Sequence, residues 1–185
     1  MKAFKRAVLG ACCAWCAVIV FLFAFRFAGF AFCFGESADQ GLYRVVNAAP
    51  AEGPPKAGER YAIRWQWDEL GAKRGLHHEG YDMLKEVAGV PGQCVWLKGD
   101  QVFIDYEPVK GCTILKADKA GNKLPIKRQY PYILEQGEYF LASHNPIGWD
   151  SRYFGPVPIE ELTRRAYPVW IFKTVDELPE ESGKG

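Results

Sequence analysis

Three groups in this sequence have side chains suited to chemistry. Ser37 lies in Gly35-Glu-Ser-Ala-Asp-Gln-Gly41, a glycine-bounded stretch a few residues after a long apolar segment. Lys85 stands inside an apolar run between Leu84 and Val87, and Asp150-Ser-Arg152 sits in a polar loop spanning 143–155. A serine hydroxyl becomes a useful nucleophile only when a neighbouring base takes its proton. A lysine inside an apolar strand, once buried, is pushed toward its neutral form. Each group also has a plain account: a turn serine, a lysine on the solvated face of a strand, and an ion pair that holds a loop.

Their positions depend first on the N-terminus. Ala7 to Phe25 is a run of 19 residues without a charge, and a helix of that length spans about 28 Å, close to the hydrocarbon thickness of a bilayer. Lys2, Lys5 and Arg6 precede it, so the positive-inside bias predicts a cytoplasmic N-terminus and export of everything after Phe25. A cleavable signal peptide would have a shorter apolar core of about 7 to 15 residues, so a retained anchor is expected. Arg26 can snorkel to the headgroups while Phe27, Phe30, Phe32 and Phe34 lie in the interface, which places Ser37 near the membrane surface. The expected location is a single pass through an inner membrane, with the remainder of the chain periplasmic and in contact with lipid.

The chain of 185 residues has room for one core, and its 19 Gly and 12 Pro favour a turn-rich, strand-rich fold. A net charge of +1, with no long run of Lys or Arg, gives no footprint for nucleic acid. Of six cysteines, Cys12, Cys13, Cys16 and Cys33 lie in or beside the apolar segment. Cys94 and Cys112 would meet an oxidising compartment and are candidates for a disulfide across the ends of a hairpin. No spacing of Cys and His suggests a metal site, and no cofactor is expected.

Period-two alternation over Tyr61, Ile63, Trp65 and Trp67 predicts a strand with one aromatic face. The glycine-bounded segment with His77 and His78 is a loop to which no role is assigned. Further strands are predicted over 42–46, 81–90, 95–97, 102–104, 130–133, 138–142 and 166–172, with a loop or exposed hairpin at 113–129 and one or two helical turns at 159–165. The segment 176–185 is acidic and polar. These elements divide the chain into residues 1–34 (stub and anchor), 35–174 (the exported domain) and 175–185 (a polar tail). The fold class is mainly β, an all-β domain of short antiparallel strands behind one N-terminal transmembrane helix.

The order of these pieces resembles the type I signal peptidase family, the Ser-Lys membrane proteases, and most closely its conjugative-transfer, TraF-type branch. The resemblance covers about 35–172. It is carried by Ser37 followed by Gly41-Leu-Tyr-Arg44, Asp82-Met-Leu-Lys85 followed by Gly89-Val-Pro-Gly92, Gly137-Glu-Tyr-Phe-Leu141, Asp150-Ser-Arg-Tyr-Phe-Gly-Pro156 and Ala166-Tyr-Pro-Val-Trp170. It implies a signal-peptidase-like β domain in which Ser37 is the nucleophile and Lys85 the general base. For that role Lys85 must lose its charge, which requires a fall of about three units from 10.4, or roughly 4 kcal/mol. The resemblance also implies that Asp150 and Arg152 brace the site and that the Ser37 backbone N–H serves an oxyanion hole. The implied substrate is an exported precursor cut after small residues, most readily a conjugative pilin, with no metal or organic cofactor.

The chain departs from the family at several positions. Ala38 and Asp39 stand where Met-Pro is usual, Gly35 where a hydroxyl residue is common, and Gly148 where a serine usually orients the lysine. Ser143-His144-Asn145 replaces Gly-Asp-Asn. Losing one oxyanion donor typically costs about 10² to 10³ in turnover, and Ser143 and Ser151 are the neighbours able to compensate. The competing expectation is therefore a weak or inactive relative that holds substrate or builds a conjugation apparatus. A housekeeping signal peptidase fits the TraF-like wording less well.

Overall fold

A computed structural model of the chain describes residues 2–35, 38–48, 53–64, 82–118 and 121–174. Trp65, Trp67, His77, His78 and the tail 175–185 lie outside the described residues, and so does Ser37.

Among the described residues, helix α1 (Lys2–Phe27) is followed by eleven strands: β1 (Phe30–Cys33), β2 (Gln40–Asn47), β3 (Arg60–Arg64), β4 (Asp82–Gly89), β5 (Cys94–Lys98), β6 (Gln101–Ile104), β7 (Glu107–Thr113), β8 (Tyr132–Ile133), β9 (Glu138–Ala142), β10 (Val157–Pro158) and β11 (Arg164–Lys173). A one-turn helix α2 (Ser151–Phe154) and a 3₁₀ turn (Ile159–Glu161) interrupt them. Among the described residues the strands form two antiparallel sheets, ordered β1-β2-β11-β3-β4-β9-β10 and β7-β6-β5-β8. Val87, Phe140 and Leu141 of the first sheet share one core with Val95, Val102 and Cys112 of the second.

Within α1, Phe4–Phe27 is 24 residues long, and its most apolar stretch has a mean hydropathy of 2.6 with none of it buried. That length, about 36 Å, is compatible with a single-pass membrane anchor. The chain reverses at Ala28-Gly29, where Gly29 takes a positive φ and its carbonyl accepts from Val45 N–H at 2.7 Å. Phe27, Phe32, Phe34, Trp170 and Phe172 are exposed beside the helix end. Several of them are in ring contact: Phe25 stacks on Phe30 and Phe32, Phe32 on Phe34, and Phe34 meets Phe172. The segment expected only to rest in the interface is thus also an edge strand of the larger sheet.

Three further details differ from expectation. Of the strand predicted over 130–133 only Tyr132–Ile133 forms, as β8, while β7 adds an unpredicted edge strand to the hairpin of β5 and β6. The candidate bridge between Cys94 and Cys112 is not formed, and both thiols are free. The topology explains this. Strand β6 lies between β5 and β7, and the registers Val95↔Ile104 and Gln101↔Thr113 put the two cysteines toward opposite ends of the sheet. The separation is roughly 10 Å across and roughly 10 Å along the strands, whereas a disulfide needs Cα atoms within about 7 Å. A reducing agent is accordingly expected to leave the melting temperature unchanged, and a drop of several degrees would restore the bridge.

Gly41 shows why the Gly-Leu-Tyr segment begins with glycine. A Cβ there would fall far inside contact of the Trp170 carbonyl and 2.8 Å from Ile171 Cδ1 on β11. Gly41→Ala should therefore force β2 and β11 apart near the start of β2. The expected cost is about 1 to 3 kcal/mol, read by urea unfolding.

Candidate active site

Strand β4 alternates between faces, and Met83, Lys85, Val87 and Gly89 fill its buried positions. Lys85 is therefore an inward residue, 2% exposed. Its same-face neighbours along the strand are Met83 and Val87, whereas Leu84, expected to help bury it, faces the other way. Across the sheet, Lys85 lies opposite Tyr61 on β3. On its other side the pair Glu86↔Ala142 brings Ser143, the next residue, opposite Lys85.

The loop after β9 is built around a buried ion pair. Arg152 Nε donates to Asp150 Oδ1 at 2.8 Å, and neither side chain has exposed surface. Nη1 donates to the carbonyls of Thr113 and Pro146, and Nη2 to those of Asn145 and Gly148 and to Asp150 Oδ2. One guanidinium thus gathers β7, the loop and the helix α2 that carries it. Asp150 caps α2 by accepting from Arg152 N–H, and it also accepts from the Ser143 hydroxyl at 2.6 Å and the Ser143 N–H at 2.8 Å. Ser151, the other candidate hydroxyl, accepts from Leu141 N–H at 2.9 Å and so fastens the loop to β9.

The electrostatics follow from this burial. Desolvation lowers Lys85 to about 8; Asp150 pulls it upward and Arg152 pushes it down again. Burial alone would raise Asp150, yet the charge and hydrogen bonds of Arg152, with Lys85 and Ser143, hold it below the usual carboxylate range. Cys112, beside the Ser143 carbonyl, is raised to about 12 by burial and stays a neutral thiol.

Ser37, the expected nucleophile, falls in the connection between β1 and β2, and both flanks of that connection are tied toward the lysine. Cys33 pairs with Gly41, and its thiol, raised chiefly by burial, lies within electrostatic reach of both Lys85 and Asp39. The Gln40 side chain donates to the Phe34 carbonyl, and Tyr43 donates to the Asp39 carbonyl at 2.8 Å. Asp39, one of the departures from the family pattern, bridges Arg60 on β3 at 2.8 Å, and Arg60 also meets Glu86, the neighbour of Lys85, at 3.4 Å. Glu86 in turn pairs with His144 at 3.0 Å.

This chain of charges from Asp39 to His144 had no local signal, because Arg60 lies 21 residues from its partner. The hydrogen bond to Glu86 raises the His144 pKa above 6.5. That tie contributes stability fully below about 6.5 and loses it as pH rises through the raised value.

The comparisons with known proteins come to the same family. A family model described as "Signal peptidase, peptidase S26" matches residues 2–171. The plasmid transfer protein TraF of Escherichia coli is 30% identical over 142 residues, covering 72% of this chain and 78% of the relative. The conjugal transfer protein TraF of Agrobacterium fabrum is 34% identical over 49% of this chain, and that of Agrobacterium tumefaciens is 36% identical over 54%. The matched stretches span only 49% and 56% of those two relatives. A crystal structure of a signal peptidase I from Enterococcus faecalis superposes with a TM-score of 0.36 at 18% identity, covering 63% of this chain and 96% of that one. With a family model matched along nearly its whole length, the chain belongs to the signal peptidase, peptidase S26 family.

Proposed function

We propose that the chain is a membrane-anchored serine endopeptidase in which Ser37 and Lys85 form the catalytic dyad. Family membership and the conjugal-transfer relatives support a peptidase-like role in conjugation. Buried Lys85 carries the finer reading. It occupies an inward strand position, lowered to about 8, next to a braced Asp150–Arg152 pair and to the flanks of the Ser37 loop.

In the proposed reaction the neutral Lys85 amine takes the Ser37 proton as Oγ attacks the scissile carbonyl. The Ser37 backbone N–H receives the developing oxyanion. The Lys85 ammonium then returns its proton to the leaving amine, which gives an acyl-enzyme. Water or a peptide amine, deprotonated by the same lysine, releases the product. The substrate class is an exported precursor cut after small residues at the membrane surface, with a conjugative pilin subunit as the leading member. The helix α1 is read as an inner-membrane anchor with a cytoplasmic N-terminus and a periplasmic catalytic domain.

The test is to co-express a pilin precursor with the wild-type chain, Ser37→Ala and Lys85→Ala, and to measure the mass of the product. Unprocessed precursor in both variants supports the dyad. Unchanged processing in either one would sink it and favour the reading as an inactive, substrate-holding relative, whose sequence support is Gly35, Asp39 and Gly148. The rate should also show an acid limb near pH 8, because Lys85 is charged below its value of about 8 and available as a base above it. A flat profile between pH 6 and 9, on the order of a two-fold change or less, would contradict the assignment of the base.

A further inference from the structure

Both ring nitrogens of His144 face acceptors. Nε2 lies 3.0 Å from Glu86 Oε1 on β4, and Nδ1 lies 3.2 Å from the Lys110 carbonyl on β7. A neutral imidazole has one N–H and can serve only one of them, so the two contacts together require the doubly protonated ring. The hydrogen bond and charge of Glu86 favour that form, against burial and the charge of Arg60. Around the ring stand Glu86 from β4, Arg60 from β3, Lys110 and the neutral Cys112 thiol from β7, and, behind Ser143 on its own loop, the Asp150–Arg152 pair. The loop rests directly on β7 here. A Cβ at Gly111 would fall far inside contact of the His144 carbonyl, and the Cys112 thiol donates to the Ser143 carbonyl at 3.8 Å.

The ring is also one end of a chain of alternating sign. Asp39 meets Arg60 at 2.8 Å, Arg60 meets Glu86 at 3.4 Å, and Glu86 meets His144. With the ring charged, two cations balance two anions. Loss of its proton leaves Arg60 to be divided between two carboxylates, and its longer contact, to Glu86, is the one with room to tighten. The neutral ring keeps its single N–H on the carboxylate, the stronger acceptor, and turns a lone pair toward the Lys110 carbonyl. We propose that His144 is a proton-operated latch: charged, it fastens the loop 143–148 to β7; neutral, it releases that seam and lets Glu86 draw Arg60 away from Asp39, on the flank of the β1–β2 connection. A proton on the loop after β9 is thereby felt across β4 and β3 at the start of β2. The latch does not depend on the Ser-Lys reading and operates whether or not Ser37 is a nucleophile.

The test uses the full-length chain in detergent, its three histidines labelled at Cε1 and followed by NMR through neutral pH; the signal that His144→Gln removes is that of His144. Glu86→Gln and Asp39→Asn should each lower the pH at which this signal titrates, and Arg60→Gln should raise it, by about half a pH unit, the worth of a partly exposed ion pair. Asp39 is not bonded to the ring, so by reciprocity its effect on the His144 titration equals the effect of the His144 proton on the hold over Asp39. An Asp39→Asn variant that titrates as the wild type does overturns the coupling. Hydrogen exchange of the wild-type chain, corrected for the pH dependence of the intrinsic rate, reads the seam without any substitution. Peptides covering 108–113 and 143–148 should exchange about three-fold faster above the titration than below it. His144→Gln, which presents a single donor nitrogen, should exchange at the faster rate throughout. Exchange in the wild type that stays level across the His144 titration overturns the latch.

Discussion

Lys85→Met is expected to abolish precursor cleavage while making the protein harder to melt at pH 7. The two effects share one cause. A lysine whose value falls from 10.5 to about 8 on folding resists its own charge in the native state by about 3 kcal/mol. Below pH 8 it is protonated both folded and unfolded, so that cost is fully present. Between about pH 8 and 10.5 the unfolded chain binds the extra proton, and native stability rises with pH as the cost disappears. Methionine is close to lysine in length and carries no charge, so it suits the position between Met83 and Val87.

At about 2 to 4 °C per kcal/mol for a chain of this size, the gain at pH 7 should be several degrees and should shrink toward pH 10. Cleavage should fall by at least about 10²- to 10⁴-fold, the usual worth of a positioned base. Melting curves at pH 7 and pH 10, beside a cleavage assay, decide the matter. A variant that melts lower at pH 7 would show that the buried lysine is part of the scaffold and not a group held there against its stability.

Arg152→Met should have the opposite outcome, with severe destabilisation and loss of activity following from it. Arg152 and Asp150 are both without exposed side-chain surface. Removing one partner of such a pair typically costs about 3 to 5 kcal/mol, because the other is left as an uncompensated buried charge. Here Asp150 would keep Ser143 as a donor but lose the cation that holds it ionised. The carbonyls of residues 113, 145, 146 and 148 would also lose their shared donor. Against a total stability of about 5 to 15 kcal/mol, that is a large fraction. Arg152→Lys keeps a charge but not the planar fork, and should fall between wild type and Arg152→Met. Urea midpoints for the three proteins test this ordering, and a wild-type midpoint in Arg152→Met would show that the loop is held from elsewhere.

Much of the site was legible because it is written in local patterns. The uncharged run of α1, the alternation around Lys85 in β4, the hairpin of β5 and β6 and the Asp-Ser-Arg loop each declare themselves within ten or twenty residues. The pattern alone left the lysine open between a solvated and a buried face; the resemblance required burial, and the structure supplies it with Met83 and not Leu84 as the companion that period two dictates.

What the sequence hid is set by long-range pairing. Strand β7, with Glu107, Pro108, Lys110 and Gly111, has no clean alternation and forms because β6 supplies its ladder. Strand β11 inserts between β2 and β3, so neither is the neighbour that chain order suggests. The same holds for the departures from the family pattern. Asp39 acquires a reason only when β3 brings Arg60 beside it, and Gly148 only when Ser143 is seen in its space. The bridge between Cys94 and Cys112 failed for the converse reason: residues close in sequence were kept apart by an intervening strand.

On the proposed peptidase reading, the reversal at Ala28-Gly29 would also bear on which bond is cut. The Gly29 carbonyl is pinned to Val45, and a row of stacked rings runs from Phe25 to Phe34 and on to Phe172, so helix and sheet turn as one piece. With α1 in the bilayer and the proposed peptidase reading, the strands β1 and β2 that flank the expected nucleophile would stand at a set height above the lipid, like a blade on a fixed gauge. A precursor leaving the same bilayer in extended form would then be measured by that gauge in residues. Adding one helical turn to α1 beneath Phe25 would lift the blade by about 5.4 Å, or between one and two residues of extended substrate.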